Sequence, residues 1–145
     1  VGSGASAALH QDVAEMLTVD HGTTAPGQNS SEFGVTVCMA DMSGPFDYHL
    51  ARRLLDLACE YGICHARDVF RYYRCDSAAA VEAGNDLRTA LAAFGVDGSH
   101  GWERIHWNAL ESLARLVTVY MQSPPLFLRD QDDIGPRGGF PMQPA

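Results

Sequence analysis

The chain has 145 residues, 46% of them hydrophobic, and a net charge of −8. That length corresponds to one domain with enough apolar residues for a buried core. Only ten Lys and Arg are present, which argues against a nucleic-acid binder, because phosphate backbones are held by clustered basic residues. No apolar run approaches the roughly 20 residues of a membrane helix, and the start lacks a signal-peptide pattern. We therefore expect a cytoplasmic protein with neither nucleic acid nor membrane as a partner.

The four cysteines predict free thiols. Cys38, Cys59, Cys64 and Cys75 form no CxxC pair and no zinc-finger spacing with histidine. Three of them lie in or beside apolar segments, so we expect buried, reduced side chains.

The first half of the chain predicts a helix remnant, two strands and a helix. Small residues at positions 5–8 fit the remainder of a helix, and the start at Val1 indicates a fragment of a longer domain. Residues 15–19 predict a short strand ending at Asp20, and residues 34–39 predict a second strand. Apolar residues then recur every three or four positions from 46 to 61, and Gly62 stands where a helix cap belongs.

The second half continues the alternation of strands and helices. Residues 68–73 are β-prone, a short helix capped by Asp76 or Ser77 follows, and residues 87–94 predict another strand. A long helix is expected from about Ile105 to Gln122, with its inner face including Met121. Residues 124–145 hold five of the seven prolines, so we divide the chain into a domain at 1–123 and an extended or disordered tail at 124–145.

This order of elements predicts an α/β fold, in which helices cover a mostly buried sheet. In such folds ligands bind at the carboxyl ends of strands. That rule selects Asp20, Asp76 and His100 as candidate functional residues.

Each candidate also has a purely structural interpretation. Asp20 precedes His21 and Gly22, so it fits either a ligand-facing carboxylate or an aspartate that caps a turn. His100 lies in a loop of small residues, with His106 nearby, but their spacing is no standard metal signature. The chain contains no GxSxG, phosphate-loop, GxGxxG or HExxH motif, which disfavours hydrolysis by a side-chain nucleophile.

Five short segments, taken in order and at their separations, resemble one known family. They are Val1-Gly2, Val19-Asp20, Gly44-Pro45, Asp76-Ser77-Ala78 and the run from Ser99 to Glu103. Together they resemble the cocatalytic zinc aminopeptidase family, which includes glutamyl and tetrahedral aminopeptidases. The runs at 25–34 and 70–74 are similar to sequences from one branch of this family, the branch found with osmoprotectant dipeptide synthesis genes. The resemblance covers about residues 1–123.

The resemblance implies the C-terminal portion of a three-layer α/β/α sheet of the zinc-exopeptidase type. It implies that Asp20 and His100 are ligands of two different divalent metal ions. Zn is the expected metal, and Co or Mn would suit the same ligands. Asp76 and Ser77 match a segment near the substrate pocket, and Glu103 matches a residue that supports the histidine. The family's general-base glutamate and the remaining ligands are expected upstream of Val1.

The resemblance also implies a peptide substrate and a homo-oligomeric full-length protein. This chain differs from the family pattern at Asp97-Gly98 and at Arg74-Cys75, positions that bear on specificity. Two rival hypotheses remain open: a metal-dependent hydrolase of an acylated or amidated dipeptide, and an inactive half-domain that associates with itself. For the isolated residues we expect weak metal binding and no peptidase activity.

Overall fold

Residues 2–9 and 13–126, the part that the computed structural model describes, form one mixed sheet with helices packed around it. The predicted α/β order is confirmed. In chain order the elements are α1 (Gly2–Ala8), β1 (Glu15–Thr23), β2 (Val35–Asp41), β3 (Gly44–Pro45), α2 (Tyr48–Glu60), β4 (His65–Val69), α3 (Ser77–Glu82), β5 (Arg88–Asp97), β6 (Arg104–Ile105) and α4 (Trp107–Gln122). The predicted tail lies outside the described residues from position 127 onward. None of the described helices combines the length and apolarity needed to cross a bilayer.

The sheet mixes parallel and antiparallel neighbours. Its strand order is β1-β5-β2-β3, with β4 paired to β2 and β6 paired to β5. β1 runs parallel to β5, whereas β2 runs antiparallel to β5 and parallel to β4. The carboxyl ends of β1 and β5 therefore share one edge of the sheet, and those of β2 and β4 point to the opposite edge.

The main core fills the face of the sheet that α2 and α4 cover. Asp47 begins α2, because its carboxylate accepts a hydrogen bond from the N–H of Leu50 at 2.8 Å. After α2 the chain turns at Gly62, whose φ of 59° suits glycine. The helix spacing of Leu50, Leu54 and Leu57 buries all three against strand residues and α4.

A smaller cluster packs on the opposite face. Its buried members are Cys38, Phe46, Phe70, Cys75 and Leu91. The Phe70 ring lies over β1 so closely that a Cβ on Gly22 would stand 2.7 Å from it. The small residue at position 22 therefore allows the segment after β4 to lie against the sheet.

The third predicted strand was misplaced. β4 is His65–Val69, and the β-prone residues after it leave the sheet. Phe70 turns into the smaller core cluster, whereas Tyr72 is 84% exposed. Residue preference for strands was overridden here because the partner strand β2 offers its pairing edge only to residues 65–69.

Two burial predictions were also wrong. Met121 is 77% exposed, because the buried stripe of α4 runs through Ala109, Leu113 and Leu116. All four cysteines are free, but only Cys38 and Cys75 are buried, and Cys59 and Cys64 are exposed.

A buried carboxylate holds the loop between β1 and β2. Asp68 Oδ2 accepts hydrogen bonds from the backbone N–H groups of Asn29 and Ser30, both at 2.8 Å. The same oxygen accepts from Gln28 Nε2 and Ser30 Oγ, both at 2.9 Å. One side chain thus satisfies several loop donors that would otherwise lose hydrogen bonds on burial.

We expect Leu54→Ala to lower the free energy of unfolding by about 2–5 kcal/mol, because it leaves a cavity in a fully buried position. Leu55→Ala is the matched control, since Leu55 is partly buried on the same helix and should cost less. Urea unfolding followed by circular dichroism measures both variants, and equal losses would contradict the assigned core face.

We expect Asp68→Asn to lower the free energy of unfolding by about 1.5–3 kcal/mol, because charge-assisted hydrogen bonds to the loop are lost. The exposed Asp86→Asn is the control and should change stability by less than about 0.5 kcal/mol. Proteolysis within residues 25–34 should also speed up in Asp68→Asn. An unchanged cleavage rate there would show that the carboxylate does not hold the loop.

Candidate active site

Asp20 lies inside β1, three residues before the strand ends at Thr23, and not after the strand as predicted. Strand pairing places it opposite Ala93, on the sheet face that carries the smaller core cluster. Its side chain is 39% exposed, and its Oδ1 accepts from the N–H of His21 at 2.8 Å. A mid-strand position does not suit a turn cap, so the carboxylate remains available to a ligand.

His100 follows β5 by three residues, at the edge where β1 also ends. Its backbone has a φ of 62°, a left-handed conformation that is uncommon for residues other than glycine. Its N–H donates to Glu103 Oε1 at 3.0 Å, so Glu103 closes the loop. The strained backbone is therefore held by a specific contact, and the exposed imidazole is presented at the sheet edge.

His21 joins these residues, although no pattern in the sequence marks it as a candidate. Its Nε2 lies 3.9 Å from Asp20 Oδ1 and 3.6 Å from Glu103 Oε1. Its ring meets the ring of His100 edge-on, with centroids 6.0 Å apart. Its position opposite Phe94 in the parallel pair accounts for this placement, and only the strand register could have revealed it.

A cavity of about 360 Å³ collects most of the candidates. Asp20, His21, Asp76 and His100 all line it, together with Ser99. The Ser99 Oγ is buried and has no hydrogen-bond partner among the described residues. A buried polar atom without a partner is costly, so its position on the cavity wall suits a polar ligand.

Asp76 reaches this cavity by a route that the strand-end rule does not describe. β4 ends at the opposite edge of the sheet, and the segment from Phe70 to Asp76 brings the chain back across the smaller core cluster. Asp76 then precedes α3. Ser77 does not line this cavity: it is buried, lies 3.0 Å from Cys75 Sγ, and lines a different cavity of about 620 Å³.

Asp41 holds the part of the cavity wall that contains Cys75. This buried carboxylate accepts from the N–H of Cys75 at 3.0 Å and from the N–H of Ser43 at 2.8 Å. Burial raises the pKa of the Cys75 thiol and raises the pKa of Cys38 to about 12. Both thiols are therefore protonated at neutral pH. Cys75 contributes packing to the cavity wall, and Cys38 packs in the smaller core cluster.

His106, the second histidine considered from sequence, has a structural role. It caps α4, because its Nδ1 accepts from the N–H of Asn108 at 3.2 Å, and its ring packs on Phe33 at 4.7 Å between centroids. Within residues 2–9 and 13–126, no three His, Cys, Asp or Glu side chains form a group able to hold a metal ion.

This mixed sheet with its covering helices is an α/β domain whose fold is shared by solved aminopeptidase structures. The aminopeptidase APDkam598 from Desulfurococcus kamchatkensis superposes with a TM-score of 0.70 at 15% identity, covering 85% of this chain and 37% of that chain. The TET1 peptidase of Pyrococcus horikoshii, described as assembling into a tetrahedron or a large octahedral shell, has a TM-score of 0.64 at 20% identity. That match covers 74% of this chain and 32% of the other.

The chain belongs to the M42 glutamyl aminopeptidase family, whose model matches residues 1–116. A Bacillus subtilis (strain 168) protein named "Putative aminopeptidase YhfE" is 36% identical over 124 residues, covering 86% of this chain. The chain spans 36% of the length of that relative. The family resemblance inferred from the sequence is thereby confirmed.

We expect the edge that carries the site to lose stability in acid. Hydrogen bonds from Thr24 Oγ1, at 2.9 Å, and from Arg104 lower the pKa of Asp97 below its ordinary value of 3.8. Because the pKa of Asp97 is lower in the folded state, the ionised carboxylate stabilises the fold at pH values above its ordinary pKa. This stabilisation is lost as the pH falls through the folded-state pKa. Wild type should therefore be more stable than Asp97→Asn at about pH 6, and the difference should shrink below 3.8.

Urea unfolding at a series of pH values measures this difference. Arg104→Gln is a companion variant that removes one of the two causes and should show a smaller dependence. A stability difference that stays constant down to about pH 2.5 would contradict the assignment.

Proposed function

We propose that this segment forms part of the catalytic domain of a metal-dependent aminopeptidase that removes N-terminal residues from short peptides. The supporting observation is that Asp20 and His100, which lie 80 residues apart in a chain of the M42 family, line one cavity. Asp20 is the proposed ligand of one metal ion and His100 the proposed ligand of the other.

The available donors fit divalent cations. A carboxylate and an imidazole, both reachable from the cavity, are ligands that Zn, Co and Mn accept, and we take Zn as the first candidate. Two ligands do not complete a two-metal site, and the described residues hold no group of three. The general-base glutamate and the remaining ligands are proposed to come from other parts of a longer protein.

Two divalent cations, when bound, supply a water of lowered pKa and polarise the scissile carbonyl. The residues of this segment position that chemistry. Glu103 holds the loop of His100 through the backbone N–H, and His21 stands between Asp20 and Glu103. We propose that Asp76 and the Ser99 hydroxyl, which has no hydrogen-bond partner among the described residues, face the bound peptide.

We also propose a cytoplasmic, homo-oligomeric full-length protein. Four free cysteines fit a reducing compartment. The assembly of the Pyrococcus horikoshii TET1 peptidase into a tetrahedron or a large octahedral shell motivates the oligomer.

The direct test is metal content and peptidase activity of a longer protein that contains this segment. Asp20→Ala and His100→Ala each remove a ligand of one ion, so each should lower bound metal by about half and abolish most activity. His106→Ala is the matched control, because that histidine caps α4, and it should keep both metal and activity. Unchanged metal content and activity in both ligand variants would overturn the proposal.

Glu103→Gln separates positioning from ligation. We expect activity or metal affinity to fall by about 10–100-fold, because the support of a ligand loop is weakened while the ligands remain. Metal titration at constant enzyme concentration measures the affinity. An unchanged affinity and rate would remove Glu103 from the site.

Substrate assays distinguish the rival hypotheses. Hydrolysis of peptides with a free amine supports an aminopeptidase, whereas hydrolysis confined to N-acetylated dipeptides favours the acylated substrate. The 145-residue chain alone should bind Zn weakly and hydrolyse neither. Light scattering that shows concentration-dependent association, without metal-dependent hydrolysis by the longer protein, would favour the self-associating half-domain.

A further inference from the structure

A thiol and an imidazole meet on the surface, beside a cavity that none of the proposed metal ligands lines. Cys59 lies in the last turn of α2, and His65 begins β4. Cys59 Sγ and His65 Nε2 are 3.6 Å apart, within the range of a hydrogen bond that involves sulfur. Cys59 is exposed, so the pair can be reached from solvent.

The orientation of His65 is set by its second ring nitrogen. Nδ1 lies 2.8 Å from the carbonyl oxygen of Ile63. A carbonyl can only accept, so Nδ1 carries the hydrogen, and Nε2 of the neutral ring is then an acceptor. The thiol of Cys59 donates to it. The Cys59 thiol, the His65 ring and the Ile63 carbonyl are therefore arranged as a nucleophile, a base and a group that orients the base.

A shallow cavity of about 330 Å³ adjoins the thiol. Its charged lining residues are Arg52, Asp56 and Arg67. Arg52 is held by Asp56 at 2.9 Å, whereas Arg67 forms no ion pair with any residue in the described part of the chain. A guanidinium that forms no ion pair within the described part of the chain, and that lines the same cavity as the thiol, favours a ligand that carries carboxylates.

Metal binding is not the better explanation of this pair. Thiolate and imidazole would be two ligands, and structural zinc sites use four. The part of the chain that the structure describes contains no group of three such residues. The cavity instead offers space beside one exposed sulfur.

We propose that Cys59 is a site of thiol–disulfide exchange with small disulfides that carry carboxylates, and that His65 acts as its base. In the step, the Cys59 proton passes to His65 Nε2 as the sulfur attacks one sulfur of the disulfide. A new S–S bond forms on Cys59, the S–S bond of the reagent breaks, and its second half leaves as a thiolate. The reagent is the oxidant, and Cys59 is the thiol oxidised.

The same chain offers matched controls. Cys64 is also exposed but has no imidazole contact among the described residues, and Cys38 and Cys75 are buried. Glutathione disulfide serves as the carboxylate-bearing probe. Cystamine, which has the same S–S bond but carries amines, serves as the comparison.

Peptide mass spectrometry of the full chain gives the modification rate at each cysteine. At pH 7 we expect glutathione disulfide to modify Cys59 about tenfold faster than Cys64. His65→Gln should lower the rate at Cys59 about tenfold and leave Cys64 unchanged. Arg67→Gln should slow glutathione disulfide and leave cystamine unaffected.

Equal rates at Cys59 and Cys64 would overturn the proposal, and so would an unchanged Cys59 rate in His65→Gln. An unchanged glutathione disulfide rate in Arg67→Gln would overturn the preference for carboxylates. Comparing Cys59→Ser with Cys64→Ser tests relative reactivity without altering His65, in case His65→Gln does not fold. No metal or peptidase activity enters these measurements, so their outcome is separate from that of the proposed function.

Discussion

The parallel pairing of β1 with β5 is the constraint on which the site depends. The two strands are about seventy residues apart along the chain, and they pair from Glu15 and Arg88 to Thr23 and Val96. Backbone bonds continue the pairing at both ends, from Arg88 N–H to the Ala14 carbonyl and from Thr24 N–H to the Val96 carbonyl. Because both strands run the same way, their carboxyl ends deliver Asp20 and His100 to one edge.

Because β2 is antiparallel to β5, the strands that run in the direction of β2 end at the opposite edge of the sheet. Since β4 runs with β2, the chain leaves β4 at the edge remote from His100. The return segment from Phe70 to Asp76 crosses the face of β1, and the small Gly22 makes room for the Phe70 ring. Buried carboxylates then fix the two irregular segments: Asp68 holds the loop after β1, and Asp41 holds Cys75.

This chain differs from the pattern of its family at two residues next to the cavity. Arg74 and Cys75 stand where the resemblance leads one to expect Gly and Thr. The Arg74 guanidinium forms two hydrogen bonds with Glu82, at 2.7 and 2.9 Å, which hold its charge against α3. Cys75 is buried in the cavity wall. Arg74 and Cys75 both line the cavity that also holds Asp20 and His100.

Local patterns in the sequence determined much of this protein. Helical spacing of apolar residues predicted α2 and its buried face, and Gly62 marked its end. Ordered short motifs indicated the M42 family and selected Asp20 and His100 as candidates. Tertiary structure alone decided what depends on strand direction and register. It placed His21 beside His100, moved Asp76 into the cavity and Ser77 out of it, and assigned His106 to a helix cap. It also paired Cys59 with His65. The reason is physical: spacing along a chain reports which side of one element a residue occupies, whereas distances between elements depend on which strands pair and in which direction.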